Sequence, residues 1–245
     1  MSAALRRLGL AVCAATALAG CAPRVPRPAE VPRPAVGGAD EARAVLEQRA
    51  AQSRTLTATF EIEIRQSDGR SEKSRGAVVV ARPDRLRLQI FTFGVMTAYD
   101  FTVAGERYHL RRPLEGVDVV GRFGDEGSRA GIDLGQDLRP LFLLAAPVAD
   151  ARVEDRGDRL RVTVIEPAGR REIEVAKRAG RIASESLFAG EERSIAIEYD
   201  DYRAVEGFDM PFSIRVRYPK KAIEVTIAVR AYTRNQPVDP KLFEF

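Results

Sequence analysis

The chain has 245 residues, a length that suits one all-β domain with enough polypeptide to bury a real core. Its two cysteines, Cys13 and Cys21, lie in or directly after an N-terminal export segment, which excludes a disulfide within the mature domain. The formal charge of +4 comes from basic residues interleaved with acids, as in Arg65-Gln66-Ser67-Asp68 and Glu191-Glu192-Arg193, so the clustered basic face that nucleic acid requires is missing.

Residues 1–20 have the anatomy of a secretory signal: Arg6 and Arg7 at the start, an apolar run from Leu8 to Leu18, and the small pair Ala19-Gly20 at the cleavage site. Leu18-Ala19-Gly20-Cys21 resembles a bacterial lipobox, which implies that Cys21 is diacylated and becomes the new N-terminus. Each buried methylene adds ~0.8 kcal/mol, and two chains anchor a protein stably. The apolar run is too short to span a bilayer, and no later stretch reaches the ~20 apolar residues a span needs. A protein hanging from a membrane is therefore expected. Ala22 stands where an aspartate would resemble the inner-membrane retention signal of enteric bacteria. That points to the periplasmic face of a Gram-negative outer membrane.

Residues 22–38 hold five prolines without an apolar period and read as a semi-rigid tether. At ~3.1 Å per residue it reaches up to roughly 50 Å. The division expected is signal 1–20, lipidated cysteine and tether 21–38, and one domain over 39–245. Residues 39–54 suit a helix capped by Asp40, with Ala42, Val45, Leu46 and Arg49/Ala50 on one face.

The period then changes. Leu56, Ala58, Phe60, Ile62 and Ile64 alternate with polar residues up to the turn Ser67-Asp68-Gly69, as a half-buried strand does. The pattern recurs at Val78-Val80, Leu86-Ile90, Tyr99-Val103, Tyr108-Leu110, Leu160-Val164, Ile173-Val175, Ile195-Tyr199, Ile214-Tyr218 and Ile223-Val229. Ten or eleven strands joined mostly by short turns argue an antiparallel meander with one apolar face. Residues 114–135 read as a long glycine-rich connection. Residues 137–147 read as a short apolar helix between Pro140 and Pro147 that, with the first helix, plugs the concave side of the sheet.

Catalytic chemistry finds little purchase. His109 is the only histidine, and its strand parity places it away from Tyr108 and Leu110, as a solvated residue. No thiol or acidic loop offers metal-ligand spacing, and no glycine-rich phosphate loop follows a strand. No enzyme, cofactor or metal is expected. One stretch stands out: Phe91-Thr92-Phe93-Gly94-Val95-Met96-Thr97 is apolar where a turn between two strands should be polar, either because it folds into the core or because it is an exposed contact tip.

Arg85-Leu86-Arg87-Leu88-Gln89-Ile90 running into Phe93-Gly94, the segment Leu138-Arg139-Pro140-Leu141-Phe142-Leu143-Leu144, and Tyr199-Asp200-Asp201-Tyr202 followed by Met210-Pro211 together resemble the LolA/LolB-like lipoprotein carriers. The resemblance spans residues 56–245 and implies an incomplete antiparallel β-barrel of about 11 strands with helices plugging its concave face. It implies an acyl-chain cavity lined by Leu86, Leu88, Phe101, Leu141 and Phe142, and a membrane or cargo loop at Phe93, Gly94, Val95 and Met96. It further implies acylated lipoproteins or other lipids as cargo, a periplasmic LolA-like carrier as partner, and a monomer that helps insert lipoproteins into the outer membrane. The same fold also serves carriers and sensors of other envelope lipids, and a structural lipoprotein with a sealed core is the remaining alternative.

Overall fold

The computed structural model describes residues 35–51, 53–92, 96–123, 151–166 and 169–245. The signal, Cys21, most of the tether, Phe93, Gly94, Val95 and the segment carrying Leu141 and Phe142 lie outside the described residues.

One helix, α1 (Ala39–Ala51), precedes thirteen strands that form a single antiparallel sheet. The strands are β1 (Thr55–Arg65), β2 (Ser71–Ala81), β3 (Arg85–Thr92), β4 (Met96–Ala104), β5 (Arg107–Arg112), β6 (Val117–Arg122) and β7 (Arg152–Asp155). They continue with β8 (Arg159–Glu166), β9 (Gly169–Ala176), β10 (Arg181–Ala189), β11 (Glu192–Val205), β12 (Phe208–Tyr218) and β13 (Ile223–Arg234). The lateral order is β6-β5-β4-β3-β2-β1-β13-β12-β11-β10-β9-β8-β7. Two meanders thus join through the β1–β13 pair, and among the described residues β6 and β7 are the edges. The sheet does not close, so the expected incomplete barrel is what the chain forms.

Thirteen strands exceed the number that alternation reveals, for local reasons. β6 falls inside the expected glycine-rich connection, because Val117-Asp118-Val119-Val120 at an edge has no buried face to impose a period. β7 is only four residues long. β10 carries a register shift between Ile182 and Ser184 that breaks its period and turns a glutamate, Glu185, inward. The apolar faces otherwise follow the sequence: Leu56, Ala58, Phe60 and Ile62 on β1 and Ile214, Val216 and Tyr218 on β12 join one continuous core.

Helix α1 ends at Ala51, three residues before the expected limit. Its start is held by Glu41, whose carboxylate accepts the N–H groups of Gly37 and Gly38. Asp40, the expected cap, pairs instead with Arg43 at 2.9 Å. Ala42 and Leu46 are buried as expected, where the helix packs on β7 and β8.

The register sorts the turns into two ends. Connections 65–71, 92–96, 113–116, 166–169, 189–192 and 218–223 share one end, called here the hairpin rim. The chain enters at the other end, where Val36 N–H bonds to the Lys177 carbonyl (2.8 Å). There the start of β1 is clasped to the exit of β13: Thr55 Oγ1 donates to the Gln236 carbonyl (2.7 Å), and Asn235 Oδ1 accepts from Arg54 N–H (2.8 Å).

Gly169 opens β9 at φ +144°, and a Cβ there would lie 2.0 Å from the Phe188 carbonyl oxygen. Both the dihedral and the clash forbid a side chain. Gly169→Ala is expected to destabilise the domain by about 2–3 kcal/mol, read as a lower urea midpoint at unchanged m.

Candidate functional site

The rows of the sheet build the apolar face. Leu88 pairs with Phe101, and Phe101 with Leu110; Leu86, Val103 and Tyr108 form the next row across β3, β4 and β5. Tyr99, Phe101, Tyr108 and Phe123 continue as an aromatic chain with successive centroids 6.4, 6.0 and 5.3 Å apart. The structure therefore brings Leu86, Leu88 and Phe101 together. Their exposures of 1, 1 and 0 % mean that a guest reaches them only by parting side chains now in contact. Close packing extends to β2, where a Cβ on Gly76 would sit 2.4 Å from the Phe60 ring.

This face is not uniformly apolar. Arg171 on β9 and Glu185 on β10 are buried beside Ile173 and Leu187, with the guanidinium 4.0 Å from the Glu185 carboxylate. Tyr199 on β11 donates its hydroxyl to Glu185 at 3.0 Å. An ion pair within a low-dielectric face is held at a desolvation cost that its geometry must offset. At the end opposite the rim, Arg234 is 1 % exposed, donates to Ser53 Oγ at 2.8 Å and stacks 3.7 Å above the Phe208 ring. Burial pushes its guanidinium below its ordinary pKa, while the charge of Glu206 acts in the other direction.

The opposite face carries the charges, yet β4 is buried on both sides. The C-terminal 3₁₀ turn Pro240–Phe243 crosses β3 and β4. Phe245 then stacks on His109 (5.4 Å), and Arg107 lies over the Phe245 ring (5.3 Å). His109 is thus only 19 % exposed, with Nε2 2.7 Å from Asp118 Oδ1, rather than freely solvated. Beside it Asp100 receives Arg87 in bidentate fashion (3.0 and 2.8 Å), Arg111 (2.6 Å) and Gln89 (3.3 Å). Burial works to raise the Asp100 pKa, but the hydrogen bonds from Arg87 and Arg111 outweigh it and hold the carboxyl below its usual range.

At the rim, the tip that carries Met96 is shaped by a bulge: Ile90 faces Tyr99, but Phe91 faces Thr97, leaving Ala98 as the extra residue. Met96 is 46 % exposed. A hollow of about 550 Å³ nearby is lined by Glu61, Glu63, Lys73, Arg75 and Phe91. Ile62, Thr92, Thr226 and Ala228 also line it, so charged and apolar walls are mixed. Among the described residues no cluster of His, Cys, Asp or Glu gathers in the manner of a metal site, and no helix is long and apolar enough to cross a membrane.

Sequence reasoning missed Arg171, Glu185 and Asp100. Asp100 alone carries a local signal, a charge between the apolar strand residues Tyr99 and Phe101, and it becomes legible only once both faces of the strand are known to be covered; Arg171, between Arg170 and Glu172, and Glu185, between Ser184 and Ser186, show no such signal.

An open antiparallel half-barrel with one continuous apolar face defines the class of the molecule. No family profile and no curated protein matches the chain by sequence. Solved structures do match. A LolA superfamily protein of Nitrosomonas europaea is 12% identical over 83% of this chain and 97% of its own, with a TM-score of 0.59. A DUF1329 family protein of Desulfovibrio piger is 10% identical over 84% and 96%, with a TM-score of 0.63. A domain assigned to an outer membrane lipoprotein-sorting protein of Vibrio parahaemolyticus is 10% identical over 84% and 97%, with a TM-score of 0.60. The chain shares its fold with these three proteins.

Proposed function

We propose that this protein is a membrane-anchored lipoprotein that takes acyl chains onto the apolar face of its half-barrel and helps insert lipoproteins into the outer membrane. The observation that carries the reading is the single apolar face of an unclosed sheet, in the fold shared with lipoprotein-sorting proteins. Cys21 supplies the anchor. Leu86, Leu88 and Phe101, with Leu141 and Phe142 from the sequence, are the acyl-contacting residues, and Phe93, Gly94, Val95 and Met96 form the membrane and cargo tip.

The physics needs no covalent step. Moving an acyl chain between two apolar surroundings is nearly neutral in hydrophobic free energy, so direction comes from a small affinity difference and from the final gain of entering the bilayer. The donor on this reading is a periplasmic carrier of the LolA type. Because the lining side chains are closed over, loading requires the face to part, and a sheet that is unclosed among the described residues permits that without breaking paired strands.

The deciding experiment is native mass spectrometry of a Cys21→Ala chain exported to the periplasm. A copurifying acylated protein or peptide supports delivery, and a phospholipid or glycolipid mass turns the reading into a carrier for another envelope lipid. A clean apo mass that also ignores added fatty acid overturns both. Within this reading, Phe93→Glu is expected to leave the melting temperature unchanged and to abolish transfer of a lipoprotein to vesicles.

A further inference from the structure

The exposed large apolar side chains of the described residues are unevenly placed. Met96 (46 % exposed), Leu114 (54 %) and Ile165 (78 %) lie at or beside three connections of the hairpin rim, and Val119 and Val120 lie on edge strand β6. None is at the opposite end, whose turns read Arg82-Pro83-Asp84, Gly105-Glu106, Arg156-Gly157-Asp158, Lys177-Arg178-Ala179-Gly180 and Glu206-Gly207. Leu114 neighbours the Met96 tip: the β4–β5 register runs Asp100 to Arg111, and the 3₁₀ turn Pro113–Glu115 packs on β4. Ile165 sits on the other half of the sheet, one residue from the end of β8. The basic pair Lys220 and Lys221, in the turn between β12 and β13, lies at this same end.

The tether leaves from the wrong end for a domain that merely hangs. Val36 docks on Lys177, opposite the rim, so a taut anchor would pull that polar end toward the membrane. The chain from Cys21 to Val36 is about 15 residues, however, and in an extended proline-rich form reaches roughly 45 Å. Strands of 11 residues, such as β1 and β2, span about 36 Å at most. The tether is long enough to run back along the sheet.

We infer that the partner of the hairpin rim is the anchoring bilayer itself, with Leu114 and Ile165 seated in it beside Met96, an orientation that the number of residues between Cys21 and Val36 permits. The inference rests on the lipid anchor of the proposed function and adds two contacts and an orientation to it. Isolated exposed apolar side chains are ordinary on soluble proteins; three at connections of one end, with none at the other among the described residues, form an interfacial footprint.

The test uses the mature lipidated protein in phosphatidylethanolamine/phosphatidylglycerol vesicles that contain a lipid-borne quencher. Its one cysteine is acylated on this reading, so Leu114→Cys, Ile165→Cys and Arg178→Cys each supply a single labelling site. Loss of emission from the labels at 114 and 165, with none lost at the exposed far-end position 178, is the expected result. Loss at 178 with none at 114 and 165 overturns the inference. Deleting residues 26–34 leaves too little chain to double back, so quenching at 165 must disappear; its persistence overturns the role given to the tether. In the unlipidated Cys21→Ser chain, Leu114→Glu with Ile165→Glu is expected to weaken vesicle binding about 10-fold or more, and unchanged binding counts against the footprint. Fatty-acid binding is measured in parallel. An unquenched rim with fatty acid still bound sinks this inference alone, whereas a quenched rim with no apolar guest sinks only the acyl-carrier reading.

Discussion

Replacing Asp100 by alanine is expected to destabilise the domain by about 3–5 kcal/mol, the cost of removing one partner from a buried ionic cluster. The carboxylate is 2 % exposed and accepts four hydrogen bonds from Arg87, Arg111 and Gln89. Its loss leaves Arg87, itself 23 % exposed, without its bidentate partner under the C-terminal turn. Arg111→Ala is the control: that side chain is 44 % exposed and is expected to cost about 1 kcal/mol or less. Urea unfolding at pH 7 separates the two. Equal midpoints for both variants would mean that the cluster is no more than a surface pair.

The same group sets a pH dependence. Its folded pKa is depressed, so its stabilising contribution is complete above the ordinary carboxylate pKa of about 3.9 and is lost as pH falls through the lower folded value. Wild type is expected to lose stability progressively below about pH 4, and Asp100→Asn to show a flatter profile there. Because Asp100 joins β3, β4 and β5, the loosening falls on the hairpin whose tip the functional reading uses.

The second large effect is expected inside the apolar face. Glu185→Ala removes the carboxylate that faces Arg171 and accepts the Tyr199 hydroxyl, and should cost about 3–5 kcal/mol. Glu185→Gln keeps an acceptor for Tyr199 and should cost less. The double variant Arg171→Met with Glu185→Leu removes both charges in favour of side chains of similar length, and is expected to regain most of the stability or exceed wild type. A double variant as unstable as Glu185→Ala would show that the two charges are not energetically coupled. The pair is also the one polar feature between Ile173, Leu187 and Ile197, so the double variant should bind fatty acid at least as well as wild type if the face takes acyl chains.

Much of this architecture was legible in the chain. Strict alternation at residues 56–64, 86–90 and 223–229 fixes which side chains face inward, because a one-residue slip would turn the whole apolar set to water. Short polar turns such as Ser67-Asp68-Gly69 fix antiparallel neighbours. Leu86, Leu88 and Phe101 were placed on one face by parity alone, and the register of β3 with β4 seats Leu88 directly against Phe101.

Other features depend on what lies across the fold. Edge strands β6 and β7 escape periodicity because an edge need not bury either face. Asp100 looks like an ordinary polar strand residue until the C-terminal turn, some 140 residues later, covers it; His109 looks solvated until Phe245 stacks on it. Arg171 and Glu185 look like breaks in a strand until pairing brings β9 against β10. The sequence by itself determined the period and the turns, since each is a local preference of a few residues. The placement of charge in the core, the covering of β4 on both faces, and the gathering of Met96, Leu114 and Ile165 at one rim were decided only by the tertiary structure, because they are properties of neighbours that sequence distance conceals.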